Sequence, residues 1–471
     1  MNKDYFFCGV GGSGMLPLAM MVQARGNRIS GSDRALDQGR TPEKFDWLRA
    51  HGVTLFAQDG SGVTGPDQVV VATGAVEDTV PDIGAARRVG ATILTRPQLL
   101  SQIFNSAPTS IGVAGTSGKS TITGMIAWIL HAAGRDPSVV NGAVMKNFAD
   151  ADHPFASALV GSPDLFIAEV DESDGSIARY DASVAVVSNI SLDHKSMEEL
   201  RDLFGGFTER AGRAVLNLDN TETAALAQIL PLDRVTTFSL SDPEADLSAH
   251  ELEPMPAGMK FRLHISGEAP RAAVLNVPGA HNVANALAAL AAVRALGVGM
   301  DEAVAALKGF AGMRRRLEVV GTAHGVTVID DFAHNPDKIA ATLKTLHAFD
   351  GRLLILFQPH GFGPLKLMQD EFIEGFAGLM RTDDVLIMPE PVYYGGTTDR
   401  SVGSEDIARG VRSAGRQAQA LPTREGCGER LLEMARPGDR VLVMGARDDT
   451  LSSFASELLA CIAARPHTEQ S

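Results

Sequence analysis

Residues 110–121 read Ser-Ile-Gly-Val-Ala-Gly-Thr-Ser-Gly-Lys-Ser-Thr. A β-prone run, 110–114, enters the loop Gly115-Thr116-Ser117-Gly118-Lys119-Ser120-Thr121, after which Ile122, Met125, Ile126, Ile129 and Leu130 recur at helical spacing. Strand, glycine loop and helix in that order make a phosphate cradle. Backbone N–H groups meet the β- and γ-phosphate oxygens of ATP, Lys119 supplies a mobile counter-charge, and the Ser120 hydroxyl faces Mg2+. The loop departs from the strict G-x-x-x-x-G-K-[ST] pattern because Val113 stands at the first glycine position. A chance Gly-Lys-Ser turn is the bland alternative, and the flanking strand and helix weigh against it.

Outward from this loop, runs at 5–10, 68–72, 164–170, 182–190, 214–218, 327–330, 352–357, 384–388 and 440–444 alternate with helical stretches. Several are continuously apolar, as strands are when helices cover both faces, so the expected class is α/β with mostly parallel sheets. The pattern restarts at an opening glycine loop, after Asn105-Ser106-Ala107-Pro108, and at Arg314-Arg315-Arg316. With 471 residues and roughly 150 per domain, three domains are expected, at 1–107, 108–312 and 313–471. The stretch 239–267 is polar and weakly periodic, which predicts loops or an antiparallel hairpin pair.

The run 164–170 leads into Glu169-Val170-Asp171-Glu172-Ser173-Asp174, four carboxylates where open α/β sheets bind ligands. Mg2+ takes hard oxygen donors and keeps several waters, so Ser120 and Glu169 are natural ligands, with His194 a less usual third. Asp171, Glu172 and Asp174 read equally well as solvated loop charge. A second phosphate signal opens the chain: Gly9, Gly11 and Gly14 satisfy G-x-G-x-x-G between a strand and a helix, and Asp33 stands where a ribose-binding acid belongs. This fingerprint suits a dinucleotide or a nucleotide-sugar, and close helix–strand packing is its structural alternative.

Composition narrows the class. Forty-two basic against fifty-seven acidic side chains give a net charge of −15, which argues against nucleic-acid or anionic-membrane binding. No run approaches a membrane span of roughly 18 apolar residues, and no secretory leader is expected, which predicts a cytoplasmic protein without membrane insertion. Three cysteines, Cys8, Cys427 and Cys461, lack metal-site spacing and fit a reducing compartment.

Taken together, the motifs resemble those of the Mur ligase family from about residue 4 to residue 450. The matches are Gly9 to Met15 with Gly31-Ser32-Asp33, Gly115 to Ser120, Glu169 to Asp174, Asn189 to His194, Gly279-Ala280-His281-Asn282-Val283-Ala284-Asn285, Arg315-Arg316-Leu317-Glu318, Asp330-Asp331-Phe332-Ala333-His334-Asn335-Pro336, and Phe357-Gln358-Pro359-His360. The resemblance implies a Rossmann-like N-terminal UDP-sugar-binding domain, a P-loop-type central ATPase domain and a Rossmann-like C-terminal domain for the amino acid or peptide. It also implies roles. Gly11, Gly12, Ser13, Gly14 and Asp33 would face UDP; Gly115, Thr116, Ser117, Gly118, Lys119, Ser120 and Thr121 would hold the ATP phosphates. Ser120, Glu169 and His194 would bind Mg2+, His281, Asn282 and Asn285 the adenine side, Arg316 a phosphate, and Asp331 the ribose. His334 and His360 would edge the acceptor pocket. Lys119, Glu169, His194 and Arg316 would carry the chemistry.

The implied reaction joins a UDP-N-acetylmuramyl carboxylate to an amine through an acyl phosphate, in cell-wall peptidoglycan synthesis, by a monomer or homodimer. The alanine-adding branch is the nearest, and Glu209, standing where other branches carry a carbamylated Lys, agrees with it. One departure points elsewhere. That branch has Arg directly after the Pro-His pair and again three residues on, whereas here the sequence runs Pro359-His360-Gly361-Phe362-Gly363-Pro364. Lys366 could supply a point charge without the guanidinium fork, and a murein peptide or another amine is the alternative acceptor. A nicotinamide-dependent dehydrogenase, resting on Gly9 to Gly14 alone, and a catalytically silent nucleotide binder, resting on the missing Arg pair, are the readings from other classes.

Overall fold

The computed structural model describes residues 3–73, 79–192, 195–255, 258–392, 399–446, 448 and 450–465. The chain forms two compact units, Met1–Met313 and Arg314–Ser471, and contains three sheets, one for each of three α/β domains.

The first sheet is wholly parallel, in the spatial order Thr54–Phe56, Arg28–Ser32, Asp4–Cys8, Gln68–Ala72, Thr92–Thr95. The order reverses beside Asp4–Cys8, so the opening glycine loop leaves the sheet at its switch point, where α/β sheets open a crevice. The second sheet has ten strands. Thr109–Ala114 lies between Val184–Val187 and Ser162–Glu169, all parallel, and this order sets the cradle loop beside the acidic edge. The stretch expected to be loops or a hairpin is a hairpin: Leu247–Met255 and Gly258–Ile265 pair antiparallel, and Arg271–Leu275 extends them.

Helix Ala280–Ala295 is buried from Asn282 to Val293 apart from half-buried Ala284. It therefore lacks the solvent-facing side an amphipathic surface helix has. Small alanine side chains let it approach helix Lys119–Ala132 and the sheet together. An aromatic seam joins the first two sheets into one unit: Phe104 meets Tyr180 edge-on at 5.2 Å and Phe166 at 6.1 Å, all three fully buried.

In the second unit five parallel strands run Val326–Asp331, Arg440–Gly445, Leu353–Gln358, Val385–Pro389, Gln417–Leu421, with Glu318–Ala323 antiparallel on one edge. All ten strands expected from sequence are present, with ends displaced by up to three residues; the opening strand, for example, spans Asp4–Cys8 because Gly9 turns out of the sheet at φ +80°. Among the described residues no helix is long and apolar enough to cross a membrane.

Candidate functional site

The cradle loop is shaped before any ligand reaches it. Gly115 and Gly118 hold φ of +136° and +86°, a region that favours glycine, and a Cβ at Gly118 would lie 2.6 Å from Asn285 Oδ1. Asn189, beyond the neighbouring strand Val184–Val187, clamps the loop. Ser117 N donates to Asn189 Oδ1 (3.0 Å), Asn189 Nδ2 donates to the Ser117 carbonyl (3.1 Å), and Thr116 N donates to the Asn189 carbonyl (3.1 Å). Helix Lys119–Ala132 begins at once, so its open N–H groups and positive end face the same space, and Thr121 is nearly buried in its first turn.

The Lys119 ammonium donates to the Gly115 carbonyl (2.7 Å) and to Glu172 Oε2 (2.8 Å). Burial pulls its pKa down, but Glu172, Glu169 and Asp171 outweigh burial, so Lys119 is held above the usual lysine value. Glu172 moves upward as well, because burial and the neighbouring Asp171 outweigh its share of the single ammonium. Three carboxylates around one lysine leave negative charge in excess, which suits a cation. The Ser120 hydroxyl donates to Glu169 Oε2 (2.8 Å), and Gly142 N donates to the same oxygen (2.9 Å).

Among the described residues no cluster of three or more His, Cys, Asp or Glu could hold a metal by itself. Mg2+ does not require one. A hydroxyl, a carboxylate and substrate phosphates with retained waters are its usual partners beside a phosphate loop. Ser120 and Glu169 supply a hydroxyl and a carboxylate oxygen 2.8 Å apart, hard donors that fit Mg2+. His194, the expected third ligand, lies outside the described residues.

Of the adenine-side residues, Asn285 and Asn282 are buried together: Asn285 Nδ2 donates to Asn282 Oδ1 (3.0 Å), and Asn282 Nδ2 donates to the Pro278 carbonyl (2.7 Å). Asn285 lies directly against Gly118, which brings this motif to the cradle; His281 is exposed at the helix start.

At the opening loop Gly9 N and Val10 N donate to the Ser32 carbonyl (2.8 and 3.0 Å), while Gly12 N donates back to Gly9. Asp33 is bound into the loop: Oδ2 accepts from Gly11 N (2.9 Å) and Oδ1 from Ala35 N (2.8 Å). Its carboxylate fixes the glycine backbone, a role the ribose expectation did not contain. Gly12 is half-buried and Ser13 exposed on the loop. Arg96 stands beside this loop. A Cβ at Gly14 would lie 3.1 Å from Arg96 Cδ, and the guanidinium reaches Asp174 at 3.8 Å. A cation thus sits beside a helix N-terminus, with the Asp174 carboxylate at 3.8 Å partly balancing the positive charge gathered there. No sequence pattern near Arg96 signals this.

Within the second unit the arginine run separates by role. Arg315 turns inward at φ +59°; its guanidinium donates to Asp330 Oδ1 (3.4 Å) and to the carbonyls of Gly445 (2.7 Å) and Asp448 (3.1 Å). Arg316 stacks over Phe332 at 4.6 Å. Asp331 accepts from Leu317 N (3.1 Å), Phe332 N (3.0 Å) and the Thr342 hydroxyl (2.5 Å). His334 and His360 meet edge-on at 5.2 Å. His334 Nδ1–H donates to the Phe332 carbonyl (2.9 Å), leaving Nε2 as an acceptor. Burial first, then Lys338, lower its pKa to about 3. Lys366 does not stand in for the missing arginines: it is exposed and paired with Asp399 at 2.5 Å.

Three family models match in sequence order: the Mur ligase family catalytic domain over 4–107, the Mur ligase middle domain over 113–293, and the Mur ligase glutamate ligase domain over 315–447. A UDP-N-acetylmuramate–L-alanine ligase of Cereibacter sphaeroides is 34% identical, over 98% of this chain and 96% of its own length. One of Desulfosudis oleivorans is 34% identical over 94% and 95%. The chain belongs to the Mur ligase family. It is accordingly an ATP-dependent ligase, and the dehydrogenase reading of the opening glycines falls. This Mur ligase shares its fold with the UDP-N-acetylmuramate–alanine ligase of Thermotoga maritima (TM-score 0.80, 24% identity, 98% of each chain). It shares it too with a murein peptide ligase of Psychrobacter arcticus (TM-score 0.72, 23% identity, 99% and 100% covered).

Proposed function

We propose that this chain joins the carboxylate of UDP-N-acetylmuramate to L-alanine in peptidoglycan synthesis, consuming ATP. The observation that carries the reading is the gathering of Lys119, Ser120 and Glu169 around one loop, with relatives of that activity at 34% identity over nearly the whole chain.

A carboxylate is an unreactive acyl donor. Its oxygen attacks the γ-phosphorus of ATP, ADP leaves, and the resulting acyl phosphate carries phosphate as a leaving group. The amine nitrogen attacks the acyl carbon, phosphate departs, and the amine loses a proton. No enzymic nucleophile is needed, so the protein's contribution is positioning and charge neutralisation. Lys119 neutralises phosphate charge. Ser120 and Glu169 would hold Mg2+, which when bound would supply positive charge against that of the phosphates. The open amides of helix Lys119–Ala132 orient the same oxygens. Opening-loop residues Gly11, Gly12, Ser13 and Gly14, held by Asp33, take the diphosphate of the sugar nucleotide.

His194 as a metal ligand, His281, Asn282 and Asn285 at adenine, Arg316 at phosphate, Asp331 at ribose, and His334 with His360 at the acceptor belong to this proposal, as do the domain boundaries at 107/108 and 312/313. So does a cytoplasmic setting, which the free thiols of Cys8, Cys427 and Cys461 favour.

A second reading keeps the chemistry and changes the amine. It is favoured by 361–364, which offers no arginine, and by the pairing of Lys366 with Asp399. One assay tests both: ADP release with UDP-N-acetylmuramate, ATP and Mg2+ against a panel of amino acids and short peptides. Turnover with L-alanine supports the first reading, and turnover with another amine alone supports the second. ATP hydrolysis indifferent to sugar nucleotide and amine refutes both.

A further inference from the structure

Strand Pro137–Val140 runs parallel beside Ser162–Glu169, with Val140 opposite Ala168. The turn that follows, Asn141-Gly142, therefore leaves the sheet next to Glu169. Asn141 is only 2% exposed. Its Nδ2 donates to the main-chain carbonyl of Ser120 (3.0 Å), and its N donates to the Ser157 carbonyl (2.9 Å). The adjoining Gly142 N donates to Glu169 Oε2 (2.9 Å), the oxygen that accepts from Ser120 Oγ (2.8 Å). A Cβ on Gly142 would lie 2.7 Å from that oxygen, so only glycine lets the backbone come so close.

Two consecutive residues thus hold the two groups of the Ser120–Glu169 pair, one by its backbone and the other by its carboxylate. Packing alone does not call for asparagine here. The Oδ1 atom is buried without a partner, and a half-satisfied carboxamide in the interior is unfavourable compared with an apolar side chain. Turning the amide over would set Oδ1 against the Ser120 carbonyl, acceptor against acceptor, so the hydrogen-bond network fixes its orientation.

We infer that Asn141 is a positioning residue of the magnesium site, holding the Ser120 main chain that carries the hydroxyl and, through Gly142, the Glu169 carboxylate in one geometry. The inference rests on the proposed reading of Ser120 and Glu169 as metal ligands. Partners that orient ligands in this way are worth about ten- to a hundredfold in metal affinity.

The test is Mn2+ binding followed by electron paramagnetic resonance in the presence of a non-hydrolysable ATP analogue, on the full chain and its Asn141→Ala and Asn141→Asp variants. UDP-N-acetylmuramate affinity and melting temperature are measured alongside. Both variants are expected to weaken Mn2+ about ten- to a hundredfold with sugar-nucleotide affinity unchanged, because neither can donate to Ser120. Asn141→Asp, equal in size, serves where alanine leaves the chain unfolded. Undiminished Mn2+ affinity in the folded variants overturns the inference. So does loss in alanine with retention in aspartate, which would make Oδ1 a metal ligand. Failure of the unmodified chain to bind Mn2+ with nucleotide overturns the reading of the loop itself, an outcome distinct from either.

Discussion

The low pKa of His334 follows from its surroundings and can be measured. Burial, Lys338 and His360 lower it to about 3 from an ordinary 6.5, while the hydrogen bond to Phe332 only partly opposes them. A depressed histidine pKa means that the folded chain binds fewer protons than the unfolded one between those two values. Stability is therefore full above pH 6.5 and is lost as pH falls towards 3. With an unfolded value of 6.5 and a folded value of about 3, protonation favours the unfolded chain by RT ln(1 + 10^(6.5−pH)), about 0.2 kcal/mol at pH 7 and about 2 kcal/mol at pH 5. Replacing His334 by Gln removes this contribution. The variant is expected to lose about 2 kcal/mol less than the parent chain between pH 7 and pH 5, in the urea transition that unfolds the C-terminal unit. The direct assay is a histidine-labelled NMR titration, with His334 assigned by the resonance missing from His334→Gln. That resonance should not titrate between pH 8 and pH 5. A midpoint near 6.5 would refute the burial argument. The functional consequence follows from the same number. A group with pKa about 3 is far too weak a base to deprotonate an amine near neutral pH, so under the proposed reading His334 would serve the acceptor as a neutral hydrogen-bond acceptor at Nε2 and not as a base.

Lys119→Met should lower ADP release about a hundredfold or more. It also leaves Glu169, Asp171 and Glu172 without their shared ammonium, so added Mg2+ should raise the melting temperature of this variant more than that of the parent. Arg315→Met removes one partner of a buried pair with Asp330, whose side chains are 11% and 1% exposed. It should cost roughly 3–5 kcal/mol in urea unfolding of the C-terminal unit, whereas Arg316→Met should leave stability alone and raise KM for ATP. The reverse pattern would exchange their roles. Arg96→Met should raise KM for the sugar nucleotide about tenfold without changing KM for ATP, as expected when a charge-assisted contact to a diphosphate is lost; equal rises in both would deny Arg96 a diphosphate role.

The legible features are those in which strand, turn and helix follow one another within a dozen residues. The loop at Gly115 to Thr121 and the acidic edge at Glu169 to Asp174 are of this kind, and each lies at the strand end where it was expected. The contacts that local sequence does not show depend on partners that sheet order brings together. Asn189 clamps Ser117 from 72 residues away, and Asn141 reaches Ser120 across 21. Three consecutive arginines look alike in sequence. They part only because Arg315 takes a positive φ that no glycine announces. The two acids expected at riboses carry a further lesson. Asp33 accepts from Gly11 N and Ala35 N, and Asp331 from Leu317 N and Phe332 N. In both Rossmann-like domains the carboxylate is bound to the backbone of an adjoining loop. Spacing identifies where an acid must stand, but whether its oxygens face ligand or main chain depends on which N–H groups the turn leaves open. In both domains the turns leave amides within reach of the carboxylate, so these acids shape loops, and any effect on a bound nucleotide would pass through the backbone they hold.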